Sequence, residues 1–253
     1  MRRAAPILAI VALALAGCDE TEDVSGRAEP PVPGAKAAVA PPTEPGKLPR
    51  GRGYILARVR ENVLAYDRPN GRPVARLRTT TPFGEPRTLG IGKARDERRW
   101  LSVHSPVFAN DEIGWIPNDP DALDLSRTRV SLHVNLSEAR VRLRRAGRVV
   151  REIPIAIGRA GTETPPGRFQ VTDKLPASRF PKGPYGCCII ALSARQPNLP
   201  EGWAGGDRIA IHGTTSPGTI GQAASSGCLR ASDADLRALM RLVPVGAPVF
   251  IEE

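Results

Sequence analysis

Histidine is scarce in this chain of 253 residues: His104, His133 and His212 are the only three, and they do not cluster in sequence. The four cysteines, Cys18, Cys187, Cys188 and Cys228, also lack the paired spacing of a zinc site. No zinc site is therefore expected. Long apolar runs are missing too. The longest candidate, residues 4–16, falls short of the roughly 20 residues that a membrane-spanning helix needs. Residues 54–121 show no sustained helical period, which excludes a helical domain there. Lysine is limited to Lys36, Lys47, Lys93, Lys174 and Lys182, so arginine carries most of the formal charge of +10.

What is present starts with Arg2 and Arg3, an apolar stretch, and small residues before Cys18. That order of charge, apolar run and small residues predicts a secretory leader over residues 1–17. The tetrad "LAGC" ending at Cys18 resembles the lipobox of bacterial lipoproteins. The resemblance implies cleavage before Cys18, acylation of its thiol, and anchorage to the outer side of the cell membrane in the cell-wall compartment. Export removes nucleic acid as a partner for the basic surface and leaves wall polymers and lipid headgroups. Residues 18–53 are rich in proline and nearly empty of large apolar side chains. They predict a disordered linker, which at ~3.1 Å per extended residue would reach roughly 110 Å.

Residues 54–126 alternate short apolar runs with turn residues, the pattern of a small antiparallel barrel. Within them "RRWLSVHSPVFANDEIGWIP" resembles the bacterial SH3-like domains found beside wall-active enzymes, which implies a domain that contacts wall peptide. Trp100 and Trp115 are expected in its core on neighbouring strands, with Gly114 ending a hairpin and His104 on a strand surface. Residues 127–253 restart the rhythm. Alternation in "RVSLHVN" puts Val130, Leu132 and Val134 on one face and leaves His133 exposed. "RVVREIPIAIG" reads as one long half-buried strand. The one convincing helix begins after Ser232: Ser232 caps it, Asp235 returns the bond, and Leu236, Leu239, Met240 and Val243 share a stripe. The fold class is mainly β, a small barrel followed by a sandwich-like domain with one C-terminal helix. No internal repeat is present.

With Cys18 assigned to lipid, three cysteines remain, and an odd number implies at least one free thiol. Cys187 and Cys188 would face opposite sides of a strand, so no bond is expected between them. Cys228 is the candidate of interest. A free thiol is only slightly ionised at neutral pH, so a cysteine nucleophile needs a base or dipole beside it. His212 ends the apolar run "DRIAIHG", and the glycines at 213, 218, 221 and 227 allow the intervening loop to fold back. Gly227 also leaves N–H groups open toward a developing oxyanion. Spacing alone is a weak signal, since any His and Cys can lie this far apart.

The wider pattern is specific. "IHGT", then "PGTIG", then "SSGCLR" resembles the catalytic motif of the L,D-transpeptidases. "TPPGRF", "GPYG" and "GDRIAIHGT" follow that family's order, and the resemblance covers residues of about 128 to 252. It implies Cys228 as nucleophile, His212 as general base, and the Gly213 carbonyl as the group that orients the imidazole. Ser225, Ser226, Gly227 and Arg230 would shape the oxyanion loop, and Tyr185 and Gly186 would line the substrate pocket. Ser226 stands where the family usually has histidine. The base in the family is the earlier histidine, so the departure bears on rate or acceptor choice. The implied reaction is acyl transfer on peptidoglycan stem peptides through a thioester, giving 3→3 crosslinks, with carbapenems acylating Cys228 and with no metal or cofactor. A monomer is expected. Two alternatives stay open: an L,D-carboxypeptidase acting on the same stems, and a catalytically weak wall-binding lipoprotein.

Overall fold

Runs of β-branched and apolar residues between turn formers build two sheets in chain order. The computed structural model describes residues 40–181, 183–199, 201–203 and 206–253. The leader at residues 1–17, Cys18 and the linker up to residue 39 lie outside them. The first sheet holds β1 (Tyr54–Val59), β2 (Val63–Tyr66), β3 (Pro73–Leu77), β4 (Thr88–Arg95), β5 (Trp100–Val103), β6 (Gly114–Pro117) and β7 (Leu123–Thr128). It is antiparallel, in the order β3-β2-β6-β5-β4-β1-β7. The second contains β8 (Val130–Asn135), β9 (Arg140–Arg145), β10 (Arg148–Pro154), β12 (Gly167–Pro176), β13 (Cys188–Arg195), β14 (Arg208–His212), β16 (Leu229–Arg230) and β17 (Pro248–Glu252). Their order is β10-β9-β8-β17-β12-β13-β14-β16, while β11 (Ile157–Gly158) and β15 (Ala223–Ser225) pair separately. The chain is mainly β, with one α-helix, α1 (Asp233–Leu242), among the described residues.

Each sheet has its own apolar core, so each can exclude water separately. Leu77, Leu101 and Ile116 lie in the first, and Leu132, Leu143, Val171, Ile190, Ile211, Leu229 and Leu236 in the second. Trp100 and Trp115 sit on adjacent strands and pack with Tyr66, whose ring meets Trp100 edge-on at 5.0 Å. Gly114 opens β6 and, opposite Val103, closes the β5–β6 hairpin as expected. A Cβ there would come within 2.2 Å of the Phe108 ring, so glycine is required by the ring lying on it.

Several expectations need correction. The last part of the linker, from about Gly46, is held on the first sheet: Gly46 exchanges hydrogen bonds with Asn118, Leu48 packs on the core, and Arg127 donates to the carbonyls of Pro49 and Gly53. The half-buried bonds of Asn118 and Arg127, with the Leu48 contact, outweigh the proline content there. The predicted long strand over residues 148–158 breaks in two. β10 is an exposed edge strand with a bulge between Val149 and Arg151, and it stops at Pro154, which has no N–H for a ladder. His133 is half-buried because Phe250 of the parallel neighbour β17 stacks on it at 4.8 Å. In α1, Ser232 Oγ accepts from the Asp235 N–H at 3.1 Å, as a cap should, but the Asp235 carboxylate bonds the Ser232 hydroxyl and not its backbone N–H. Asp is one methylene shorter than the Glu that usually closes this motif. Leu236, Leu239 and Val243 are buried as predicted, with Met240 packed partly against them.

His104 is not a surface residue either. It follows β5 and sits where the two sheets meet, its backbone carbonyl accepting from Gln170 Nε2. Burial and the charge of Arg168 lower its pKa from 6.5 to about 4. The junction is built from side chains that bond backbone across it. Gln170 Oε1 accepts from Gly90 N–H. Asn110 bonds the Arg195 carbonyl at 2.7 Å and N–H at 2.8 Å, as a paired strand would. Thr81 donates to the buried Asp173 carboxylate.

Candidate active site

β14 and β16 run parallel near one edge of the second sheet, with Ile211 opposite Leu229 and His212 opposite Arg230. Alternation then sorts their side chains. Ile211 and Leu229 face the main core. Ala210 faces the other way, with Leu175 and Ile189, and Cys228 packs against that same cluster. His212, two residues from Ala210, shares this face. The sheet therefore brings His212 and Cys228 to one side of neighbouring strands, two register positions apart.

His212 is buried, and its Nδ1 lies 2.6 Å from the Gly213 carbonyl oxygen. A carbonyl only accepts, so Nδ1 carries the proton and Nε2 keeps its lone pair. Tyr185 meets the imidazole edge-on at 5.1 Å. Burial lowers the His212 pKa from 6.5 to about 4; the Gly213 bond opposes this and the Arg230 charge adds to it. The half-buried Cys228 is free, and burial pushes its thiol up, with Ala210 backbone and the Arg230 charge pulling the other way. At neutral pH the resting pair is thus a thiol and a neutral imidazole. Such a pair calls for proton transfer during attack, not for a preformed ion pair.

The turn before Cys228 is held by side chains from three directions. Ser225 Oγ accepts from Gly227 N–H at 3.1 Å and donates to the Cys228 carbonyl at 2.6 Å. Thr164, from the "TPPGRF" turn, donates to the Gly227 carbonyl at 2.8 Å. Gln196 Nε2 lies within hydrogen-bond reach of the carbonyls of Thr162, Glu163 and Ser226. Gly227 has φ +115°, and a Cβ would lie 2.3 Å from Gln196 Nε2. Its N–H is occupied by Ser225 Oγ, which corrects the expectation that it points at an oxyanion. The Arg230 backbone is tied both ways to Ala156, at 3.0 and 2.8 Å.

Gly186 sits where the chain passes beneath Gly213. A Cβ on it would be 2.2 Å from Asp233 Oδ1 and 2.6 Å from the Gly213 carbonyl carbon, at φ +59°. Cys187 and Cys188 are joined by a disulfide, against expectation. Cys187 lies in the turn ahead of β13, not in the strand, so the opposite-face rule does not govern it. Its N–H donates to Asp233 Oδ1 at 3.0 Å. Among the described residues no group of three or more His, Cys, Asp or Glu is arranged to hold a metal ion.

Sequence reasoning does not find Thr164, Gln196 and Asp233 as site residues. Thr164 lies in the "TPPGRF" stretch, and the other two carry no local signal, because each acts across a gap that only folding closes.

Residues 129–251 match the family model of the YkuD L,D-transpeptidase catalytic domain. The Bacillus subtilis protein YkuD, assigned to the L,D-transpeptidases, is 32% identical over 136 residues, covering 54% of this chain and 72% of its own length. Its Bacillus licheniformis counterpart is 35% identical over 118 residues, covering 47% of this chain and 62% of its own. The solved structure of L,D-transpeptidase 3 from Mycobacterium tuberculosis aligns with TM-score 0.39 and 18% identity, over 57% of this chain and 75% of that one.

Proposed function

Since this chain belongs to the YkuD family of L,D-transpeptidases, we propose that it is a cysteine-dependent acyltransferase acting on peptidoglycan stem peptides and forming 3→3 crosslinks. The observation that carries the reading is that His212 lies on the same sheet face as the Cys228 thiol, with Nδ1 held by the Gly213 carbonyl and Nε2 therefore left unprotonated.

In this reading the Cys228 thiol passes its proton to His212 Nε2 as sulfur attacks the carbonyl of the L-centred third residue of a stem tetrapeptide. The N–H groups of Ser226 and Cys228 are the candidates for holding the oxyanion, because that of Gly227 is bonded to Ser225. The tetrahedral species collapses, the imidazolium protonates the departing D-alanine amine, and a thioester remains. The side-chain amine of a second stem then attacks the thioester and gives its proton to His212. Collapse forms the new amide, and the thiolate regains a proton from the imidazolium. Water as acceptor would give a trimmed stem instead.

We place the enzyme outside the cytoplasmic membrane, tethered through lipid on Cys18, with the first domain contacting wall peptide. The "LAGC" tetrad and the proline-rich stretch support the tether.

The test is intact-mass spectrometry of purified protein with meropenem and, separately, with a stem tetrapeptide plus an amine acceptor. One covalent adduct that Cys228→Ala abolishes, together with a crosslinked product lacking one D-alanine, is expected. Release of tripeptide without crosslink would assign the hydrolytic activity. A folded protein that binds sacculi but never forms an adduct would overturn the enzymatic reading.

A further inference from the structure

Phe83 occupies the tip of a turn, where side chains ordinarily meet solvent, yet it is 7% exposed. The local sequence "TTTPFGEPR" explains the turn. Pro82 presets its own φ, Gly84 adopts φ +79°, and the Gly84 N–H closes on the Thr81 carbonyl at 2.9 Å. Below it, Thr81 N–H bonds the Glu85 carbonyl, and the buried Arg87 guanidinium donates to the carbonyls of Arg78 and Thr80 at 2.7 and 3.0 Å. Rigid residues thus push one aromatic ring outward from the first domain.

The ring is received by the second domain. Phe83 clusters with Leu175, Phe180, Ile189 and Ala210, and both Tyr185 and Cys228 pack against this group. The second domain grips the turn on either side of the ring. Arg179 donates to the Phe83 carbonyl at 2.8 Å and pairs with Glu85 at 3.1 Å, while Thr81 bonds Asp173. From Phe83 a line of edge-on rings leads inward: to Phe180 at 6.2 Å, from Phe180 to Tyr185 at 5.8 Å, and from Tyr185 to His212 at 5.1 Å.

We propose that Phe83 is a positioning residue for the His212–Cys228 pair, wedging Phe180 so that Tyr185 is seated against the imidazole. The inference rests on that pair being catalytic, as proposed above. The Gly213 bond fixes the tautomer but is a single pivot, about which the ring can still swing. Tyr185 packed on one side limits the swing; it is half-buried in place, with Phe180 against its ring and Phe83 against Phe180. The first domain is then part of the catalytic unit, beyond any contact it makes with the wall.

The charged and titratable neighbours of His212 are Arg230 on β16, Cys228 before it, Tyr185, and Asp233 beside Gly213 at the start of α1. A change at Phe83 removes none of these groups and can move only Tyr185 and Cys228, which pack against its cluster, so a shift in the histidine's titration reports on packing and water access.

The experiment follows alkylation of Cys228 in the full-length protein by iodoacetamide, by intact mass, between pH 4 and 8. Wild type is expected to react roughly 100-fold faster than His212→Ala. Equal rates would sink the proposed pair, whatever Phe83 does. With that dependence in place, Phe83→Ala should slow alkylation about tenfold at pH 7. It should also move the lower limb of the pH profile up from about 4 toward 6.5, while Phe83→Leu brings the rate back to within about threefold of wild type. A Phe83→Ala protein that melts earlier but keeps the wild-type rate and profile would overturn the inference. If Phe83→Ala does not fold, Phe83→Leu decides: a loss of about threefold with a raised lower limb supports positioning, and an unchanged profile refutes it.

Discussion

One oxygen atom decides which nitrogen of His212 is available. With Gly213 accepting from Nδ1, Nε2 is left as the base, so a change that moves Gly213 should be felt at the thiol. Gly186→Ala is such a change, since its Cβ would collide with Asp233 and the Gly213 carbonyl carbon at a positive φ. A loss of at least about 2 kcal/mol in urea denaturation is expected, with slower acylation of Cys228. Ser225→Ala acts on the sulfur side. It strips partners from the Gly227 N–H and the Cys228 carbonyl, both held by one hydroxyl. Leaving buried backbone groups unpaired should remove about 1–3 kcal/mol and lower the meropenem acylation rate. A variant with wild-type stability and rate would show that the hydroxyl does not brace the turn.

At the scale of elements, α1 and β10 give opposite expectations. The first turn of α1 depends on Ser232, whose hydroxyl accepts from Asp235 N–H, so Ser232→Ala should reduce stability by about 1 kcal/mol. The cap lies next to Asp233, which also holds the Cys187 N–H, so this small loss should be accompanied by slower alkylation. β10 is far more tolerant. Val149 and Val150 are 49% and 53% exposed on an edge strand, and Val150→Lys should change stability by no more than about 0.5 kcal/mol. A loss of several kcal/mol in chemical denaturation would mean that this edge is covered in solution.

Over the whole molecule, the junction between sheets couples two otherwise separate cores. Thr81, Gln170 and Asn110 bond across it, and Phe83 fills the second domain's apolar cluster. Heat should therefore unfold residues 40–253 in one transition, with calorimetric and van't Hoff enthalpies that agree. Two separated transitions would show that the junction is weak. The histidines add a pH dependence. His104 at the junction and His212 at the site are both lowered from 6.5 to about 4, chiefly by burial. Between those values the unfolded chain binds more protons than the folded one, so stability rises with pH in that window. It should be complete above pH 6.5 and fall as the pH drops through 4, seen as a declining urea midpoint. His104→Gln should flatten that decline.

Much of this protein was written into short stretches of its chain. The alternation in β8, the capped stripe of α1 and the placing of Trp100 and Trp115 on adjacent strands follow from side-chain period and turn chemistry, which act over a few residues. The "IHGT" and "SSGCLR" stretches likewise made His212 and Cys228 candidates, through the resemblance of the whole motif and not through spacing. Tertiary structure alone decided the rest. It placed Gly227 N–H on Ser225, put Cys187 in a turn where it joins Cys188, and half-covered both His104 and His133. It also drove Phe83 into a cluster that includes residues from distant strands. These depend on which surfaces meet after the chain has collapsed, and the burial that results has no signature in the neighbouring residues.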